Sequence, residues 1–248
     1  MKANWTKRTL HFKQPAGTSR GIMKTRDVWY ITLFQDGITG IGECAPLPRL
    51  SLDNFDLIES KLGEICKKPE FFLNDLSQLT DFPSIRFGLE MAYLDLVNGG
   101  GQNYCGSFNS ININGLIWMG DPEFMVRQVE EKLSEGWKCI KIKIGAIDFD
   151  KELDILKSIR SKFNKDELEL LVDANGAFTK NDVHEKLEQL ASLDLHSIEQ
   201  AIQPGQWDLL SELCKNSPIP IALDEELISL INEKDRIEML EKVNPQYL

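Results

Sequence analysis

Histidine is scarce in this 248-residue chain, with three in all, and sulfur is thin: the five cysteines are odd in number and none stands in a CxxC pair. Zinc, which is held mainly by Cys and His, is therefore disfavoured. So is a disulfide framework, and reduced, mostly buried thiols in a cytoplasmic protein are expected. His11, His184 and His196 fall away from the strand ends discussed below and read as structural or exposed. No stretch approaches the ~18 apolar residues of a membrane span, and the N-terminal MKANWTKRTLHF lacks the apolar core of a signal peptide. Basic charge is also short: 28 Lys and Arg against 39 Asp and Glu leave a net charge of -11. That disfavours nucleic acid and anionic membrane as partners. A small anionic substrate stays open, because a bound cation can invert the local field. Much of the acidic excess lies on outward helix faces such as VEEKLSEG and EKLEQL, which read as solvated surface.

What remains, 42% hydrophobic and 27% charged residues, suits a globular protein of one large or two small domains. The first hundred residues read as strands over 5–12, 27–34 and from about 38, followed by helices. The first two strands are separated by QPAGTSRGIMKTR, which carries Arg20, Lys24 and Arg26. It reads either as an exposed turn or as a mobile lid over an anionic ligand. Asp36-Gly37 signals a tight hairpin, and Pro46 and Pro48 end the third strand. Leu57, Ile58, Leu62 and Ile65 mark one face of a helix over 52–67, and PSIRFGLEMAYLDLVN predicts a second. Three consecutive glycines in NGGGQN make regular structure costly and place a domain boundary there. Residues 1–100 are expected to be an α+β domain.

From residue 104 to 248 the rhythm becomes strand then helix, five times over. FNSININGLI, KCIKIKIG, LELLVD, HSIE and IPIALD are the strands, and a helix follows each, capped by Asp121 after the first strand and by Thr179 after the third. NPQYL would open a sixth strand. Repeated βα units imply a right-handed parallel sheet. A TIM-type (β/α) barrel is preferred over a doubly wound sheet, because no GxGxxG or phosphate loop follows the first strand and polar residues gather at the strands' C-terminal ends. Too few residues follow Tyr104 for the roughly 200 to 250 of an eight-stranded barrel. An incomplete barrel, truncated relative to a complete enzyme, is expected.

Asp173, Glu199 and Asp224 each end one of these apolar runs, spaced by roughly 25 residues, about one βα unit. Singly, such acids are commonly helix caps or surface charge; in phase on consecutive strands they suggest oxygen ligands for a hard divalent cation, Mg2+ or Mn2+. Upstream, Lys141 and Lys143 alternate with Ile140, Ile142 and Ile144, so the lysines share one face. If isoleucine faces the helices, the lysines point into the barrel; otherwise they face solvent from an exposed sheet. Two ammonium groups about 6.6 Å apart along a strand repel by roughly 2.5 kcal/mol at an effective dielectric near 20. That would take one lysine from about 10.4 towards about 8.5, with desolvation helping and the carboxylates opposing. A lysine so poised is a general base. Beside a divalent cation, it suits proton removal from the carbon next to a carboxylate, with the cation stabilising the enediolate.

KIKIG, LVDANGAF, SIEQ and ALDEEL, taken together, resemble the enolase superfamily, in the branch with a KxK motif on the second barrel strand. GITGIGECAPLPRLS and PSIRFGLEMAYLDL resemble the o-succinylbenzoate synthase family of menaquinone biosynthesis. The resemblance implies an N-terminal capping domain with Arg20 on a mobile lid and a barrel whose Asp173, Glu199 and Asp224 bind magnesium. It also implies Lys143 as the base that abstracts the α-proton of 2-succinyl-6-hydroxy-2,4-cyclohexadiene-1-carboxylate and returns it to the departing hydroxyl. Lys141 would tune it and hold the substrate carboxylate, and Asn175 would orient the ligands. Two departures stand out. Many relatives carry Glu-Glu-Pro where this chain has Glu199-Gln200-Ala201, a lost carboxylate. The family's sixth-strand lysine and later substrate loops have no counterpart in these residues, so a chain limited to them is expected to be inactive or nearly so. A dipeptide epimerase, an N-acylamino acid racemase or a non-catalytic fragment remain alternatives, with a sugar-acid dehydratase behind them.

Overall fold

The computed structural model describes residues 1–18, 21–101 and 112–248. They fall into two compact units, each with its own sheet.

Three strands, which belong to the first unit up to Ala16 and from Ile22 onward, lie side by side in the order β1 (Lys2–Thr18), β2 (Gly21–Gln35) and β3 (Ile38–Cys44). QPAGTSRGIMKTR, expected as a loop, is mostly strand. Pairing of neighbouring backbones satisfies N–H and C=O groups whatever the side chains, so a polar, glycine-bearing stretch continues the ladder. Arg20, expected on a lid and at the substrate, lies outside the described residues. The β2–β3 turn is as expected: Asp36 and Gly37 both have positive φ, 52° and 81°, and Gln35 pairs with Ile38, the signature of a two-residue I′ hairpin.

Alternation along β2 buries Ile31 and Leu33 completely, and α1 (Ile58–Lys67) adds Ile58, Leu62 and Ile65 from one face. Leu57, expected on that face, belongs to the preceding 3-10 turn and is exposed. Next come α2 (Pro69–Asn74) and α3 (Pro83–Val97). The start of α3 is held by the buried Asp53 carboxylate, which accepts from the Ser84 backbone N–H at 3.1 Å and its hydroxyl at 2.6 Å. α3 lies directly on β3. Gly40 and Gly42 share one strand face, and a Cβ on either would collide with the helix backbone, at the Ala92 and Gly88 carbonyls respectively. Glycine is required there by close approach rather than by torsion angle.

In the second unit β4 (Gly115–Ile117), β5 (Cys139–Lys143), β6 (Glu169–Asp173), β7 (Ile198–Glu199) and β8 (Ile221–Ala222) form one parallel sheet in chain order. A doubly wound sheet reverses its strand order at a switch point; this one does not, which is the arrangement of consecutive barrel staves. Only the C-terminal part of the first expected strand, FNSININGLI, falls within the described residues, and there β4 is three residues long. Beyond β8, Tyr247 pairs in parallel with Ala222 where a further strand was expected. The helices between strands are α4 (Pro122–Ser134), α5 (Phe149–Lys162), α6 (Val183–Ala191) and α7 (Trp207–Asn216), with the short α8 (Glu225–Ile228) and α9 (Glu233–Val243) after β8. Asp121 caps α4 as expected, accepting from the Phe124 N–H at 2.9 Å. Thr179 does not cap α6. It opens a turn ahead of the helix, its N–H bonded to Asp182 at 2.8 Å. Ile140, Ile142, Leu170, Val172, Ile198 and Ile221 are buried in one core with the helices.

No helix among the described residues is long and apolar enough to cross a membrane. Four cysteines are described, all free, with Cys44 and Cys214 buried. Burial pushes the Cys44 thiol up to about 12. Cys105 lies outside the described residues.

Candidate active site

Parallel register builds the site. Lys143 pairs with Asp173 across β5 and β6, Asp173 with Glu199 across β6 and β7, and Glu199 with Ala222 across β7 and β8. One row therefore crosses four strands at their C-terminal ends. Lys141 lies two residues back on the face shared with Lys143, and Asp224 lies two residues beyond Ala222. The isoleucines of KIKIG face the helices, so the inward reading of the lysines holds.

After the row, the backbone turns sharply. Asn175, Gln200 and Gly145 have φ values of 45°, 42° and 88°, and a Cβ on Gly145 would strike that of Ala177. The left-handed step at Asn175 brings its N–H back to Asp173 Oδ1 at 3.0 Å. It also places its amide between Lys143 and Glu225: Lys143 Nζ donates to Asn175 Oδ1 at 2.9 Å, and Asn175 Nδ2 donates to Glu225 Oε1 at 3.0 Å.

The Asp173 carboxylate is only 1% exposed and takes both ammonium groups on Oδ2, Lys143 at 2.7 Å and Lys141 at 3.5 Å. Lys141 also donates to Glu199 Oε2. Burial pushes the Lys141 ammonium down, but its bond to Glu199 and the Asp173 and Glu199 charges carry it above the ordinary lysine value. Repulsion was expected to lower one lysine of the pair with the carboxylates opposing; at Lys141 the carboxylates win, because they touch it directly. Burial raises the Glu199 carboxyl, with Asp173 and Asp224 adding to it against the Lys141 bond. Asp224 is raised by burial first, then by the Glu225 and Asp173 charges, with both lysines opposing.

The structure thus brings together Lys141, Lys143, Asp173, Glu199 and Asn175. Asp224 joins through its field rather than by a side-chain hydrogen bond. Among the described residues no three His, Cys, Asp or Glu side chains are grouped to hold an ion as they stand, and the lysines bond to the Asp173 and Glu199 oxygens. The donor set nonetheless fits a hard divalent cation. It is all oxygen, with acids from three adjacent strands, two of them raised by burial and mutual repulsion that such a cation relieves.

Glu225 was not foreseen. Period two along the strand would put it opposite Asp224. The chain leaves strand geometry at Asp224, and α8 turns Glu225 back toward Asn175. The acidic run Asp224-Glu225-Glu226 was the available signal.

The family model described as Enolase C-terminal domain-like matches residues 124–240, and that of the MenC N-terminal domain matches 13–96. An o-succinylbenzoate synthase from Desulfotalea psychrophila is 42% identical over all of this chain and 77% of its own length. The chain belongs to the o-succinylbenzoate synthase family of the enolase superfamily. The crystal structure of MenC from the same organism superposes with a TM-score of 0.80 at 37% identity, covering 100% of this chain and 77% of that one. An N-succinylamino acid racemase from Thermus thermophilus is more distant: 28% identical over 90% of this chain and 63% of its own length. An o-succinylbenzoate synthase structure from Thermosynechococcus elongatus, complexed with magnesium in its active site, matches with a TM-score of 0.79 at 22% identity over 98% of this chain and 73% of that one. It shares the fold. Membership of the o-succinylbenzoate synthase family makes the five-stranded sheet part of a TIM-type barrel.

Proposed function

We propose that this o-succinylbenzoate synthase family member dehydrates 2-succinyl-6-hydroxy-2,4-cyclohexadiene-1-carboxylate to o-succinylbenzoate. Lys143 is the base and Asp173, Glu199 and Asp224 are ligands for Mg2+, or Mn2+. The observation that carries this is the single row of Lys143, Asp173 and Glu199 in register, with Lys141 and Asn175 bonded to it.

Lys143 Nζ takes the proton from the ring carbon bearing the carboxylate. Asp173 and Asn175 hold its Nζ in place, so little orientation is lost on reaching the transition state. The hydroxyl at carbon 6 leaves with that proton, returned by the Lys143 ammonium, as water, and the ring becomes aromatic. Lys141 faces the substrate carboxylate with a positive charge. Asp173, Glu199 and Asp224 would hold the cation, which would supply further positive charge for the developing enediolate. The substrate is a small carboxylate, and the cytoplasm suits an enzyme acting on it.

The test is incubation of the protein, expressed from its complete reading frame, with Mg2+ and the cyclohexadiene acid. A rise in aromatic absorbance is expected. Solvent deuterium appearing in N-acyl amino acids or dipeptides, with no dehydration of the cyclohexadiene acid, would overturn the proposal in favour of an epimerase.

A further inference from the structure

Gln200 follows the second acid of the row and is fully buried. Every polar atom it carries has a partner. Its N–H donates to the Ala222 carbonyl at 2.9 Å, and its carbonyl accepts from the Gly176 N–H at 2.6 Å. Its side-chain Oε1 accepts from the backbone N–H groups of Asp224 at 3.3 Å and Glu226 at 3.0 Å, while Nε2 donates to the Ile202 carbonyl at 2.9 Å. Two donors converging on one atom fix that atom as oxygen and settle the orientation of the amide. The residue also holds a left-handed backbone, with φ of 42°, so these contacts sustain a conformation that a side chain disfavours.

These bonds join the chain just after β6, β7 and β8, the three strands that deliver Asp173, Glu199 and Asp224. At the end of β8 the backbone turns directly from Asp224 into α8. There Gln200 Oε1 accepts from the N–H of Asp224 itself and from that of Glu226, two residues on. Where a carboxylate had seemed lost from the Glu-Glu-Pro pattern, the amide accepts twice and donates once, and the donation to Ile202 is one an ionised Glu could not make.

We propose that Gln200 is a positioning residue that holds Asp224 in place to share a divalent cation with Asp173 and Glu199. The proposal rests on those three acids being the ligands. Outer contacts that orient metal ligands are worth roughly 10- to 100-fold in affinity. Calorimetric titration with MgCl2 of the unsubstituted protein and of Gln200→Met and Gln200→Glu tests it. Gln200→Met, which removes Oε1 and keeps the bulk, is expected to bind Mg2+ about tenfold more weakly. Gln200→Glu keeps the accepting oxygen and is expected to bind at least as tightly as the unsubstituted protein, a rescue that a volume-filling role would not produce. Hydrogen exchange on the unsubstituted protein reads the same contact without a variant: the Asp224 and Glu226 amides are expected to be protected before Mg2+ is added. Unchanged affinity in Gln200→Met overturns the role of Gln200, as does free exchange of both amides until Mg2+ is supplied. Absence of Mg2+ binding by the unsubstituted protein instead overturns the ligand assignment, and the proposal with it.

Discussion

Glu152, on the first turn of α5, is 2% exposed. Its carboxylate accepts from the Gly145 N–H at 2.8 Å, the Ala146 N–H at 3.2 Å and the Ile147 N–H at 3.3 Å. These three groups form the turn that leaves β5 immediately after Lys143. Glu152→Ala strands all three. At about 1 kcal/mol net for each lost bond, and less whatever relief comes from no longer burying a charge, the expected loss is about 2 to 3 kcal/mol. Glu152→Gln keeps an accepting oxygen, drops the charge and is expected to stay within about 1 kcal/mol of the unsubstituted chain. A pH series separates the two effects. Burial raises the Glu152 carboxyl above its ordinary value despite the three backbone bonds. A carboxyl raised on folding stabilises the fold most below its unfolded value, and that part is lost as pH rises through the folded value. As pH rises from the ordinary carboxylate range through the raised Glu152 value, the unsubstituted protein should therefore lose stability relative to Glu152→Gln. Urea unfolding monitored by circular dichroism measures both quantities. Glu152→Ala as stable as the unsubstituted protein, or a Glu152→Gln difference that is flat with pH, would refute the reasoning.

Lys143→Ala should lower turnover at least about 1,000-fold, in the range lost with a general base, while circular dichroism and melting stay near those of the parent; near-normal turnover would remove Lys143 from the chemistry. Asp224→Asn should weaken Mg2+ binding about tenfold or more by calorimetry, and an unchanged constant would take Asp224 out of the ligand set. Gly42→Ala should cost more than about 3 kcal/mol in the first unit, because the added methyl meets the Gly88 carbonyl of α3. A thermal midpoint unmoved by that substitution would mean that the helix can lift away from the strand.

Much of the second unit could be read from the chain because its signals are local and repeat. Ile140, Ile142 and Ile144 against Lys141 and Lys143 reveal both the strand and its two faces, and the acids ending successive apolar runs mark the strand ends where the candidate site is proposed. Where the sequence misleads, tertiary bonding decides. The long ends of β1 and β2 are held by pairing, which leaves no mark on side-chain pattern. Thr179 looks like a helix cap, yet the first turn after it is closed through Asp182. The balance between lysine–lysine repulsion and the carboxylates was left open in the sequence, because the contact of Lys141 with Glu199 depends on a strand that follows much later. Glu225 escaped for a related reason: it sits where the chain breaks out of strand geometry, and period two says nothing past that point. Gln200 was noticed only as a lost carboxylate, because the backbone groups its amide meets lie beyond the next strand.

The fit of α3 onto β3 carries a lesson for anyone seeking to alter this protein by random mutagenesis. Gly40, Gly42 and Gly88 form a seam with no slack, far from the lysines and acids in sequence. Libraries spread over the whole gene will lose members there for reasons unrelated to catalysis. A screen for new activities gains most by freezing those three codons and spending its diversity elsewhere.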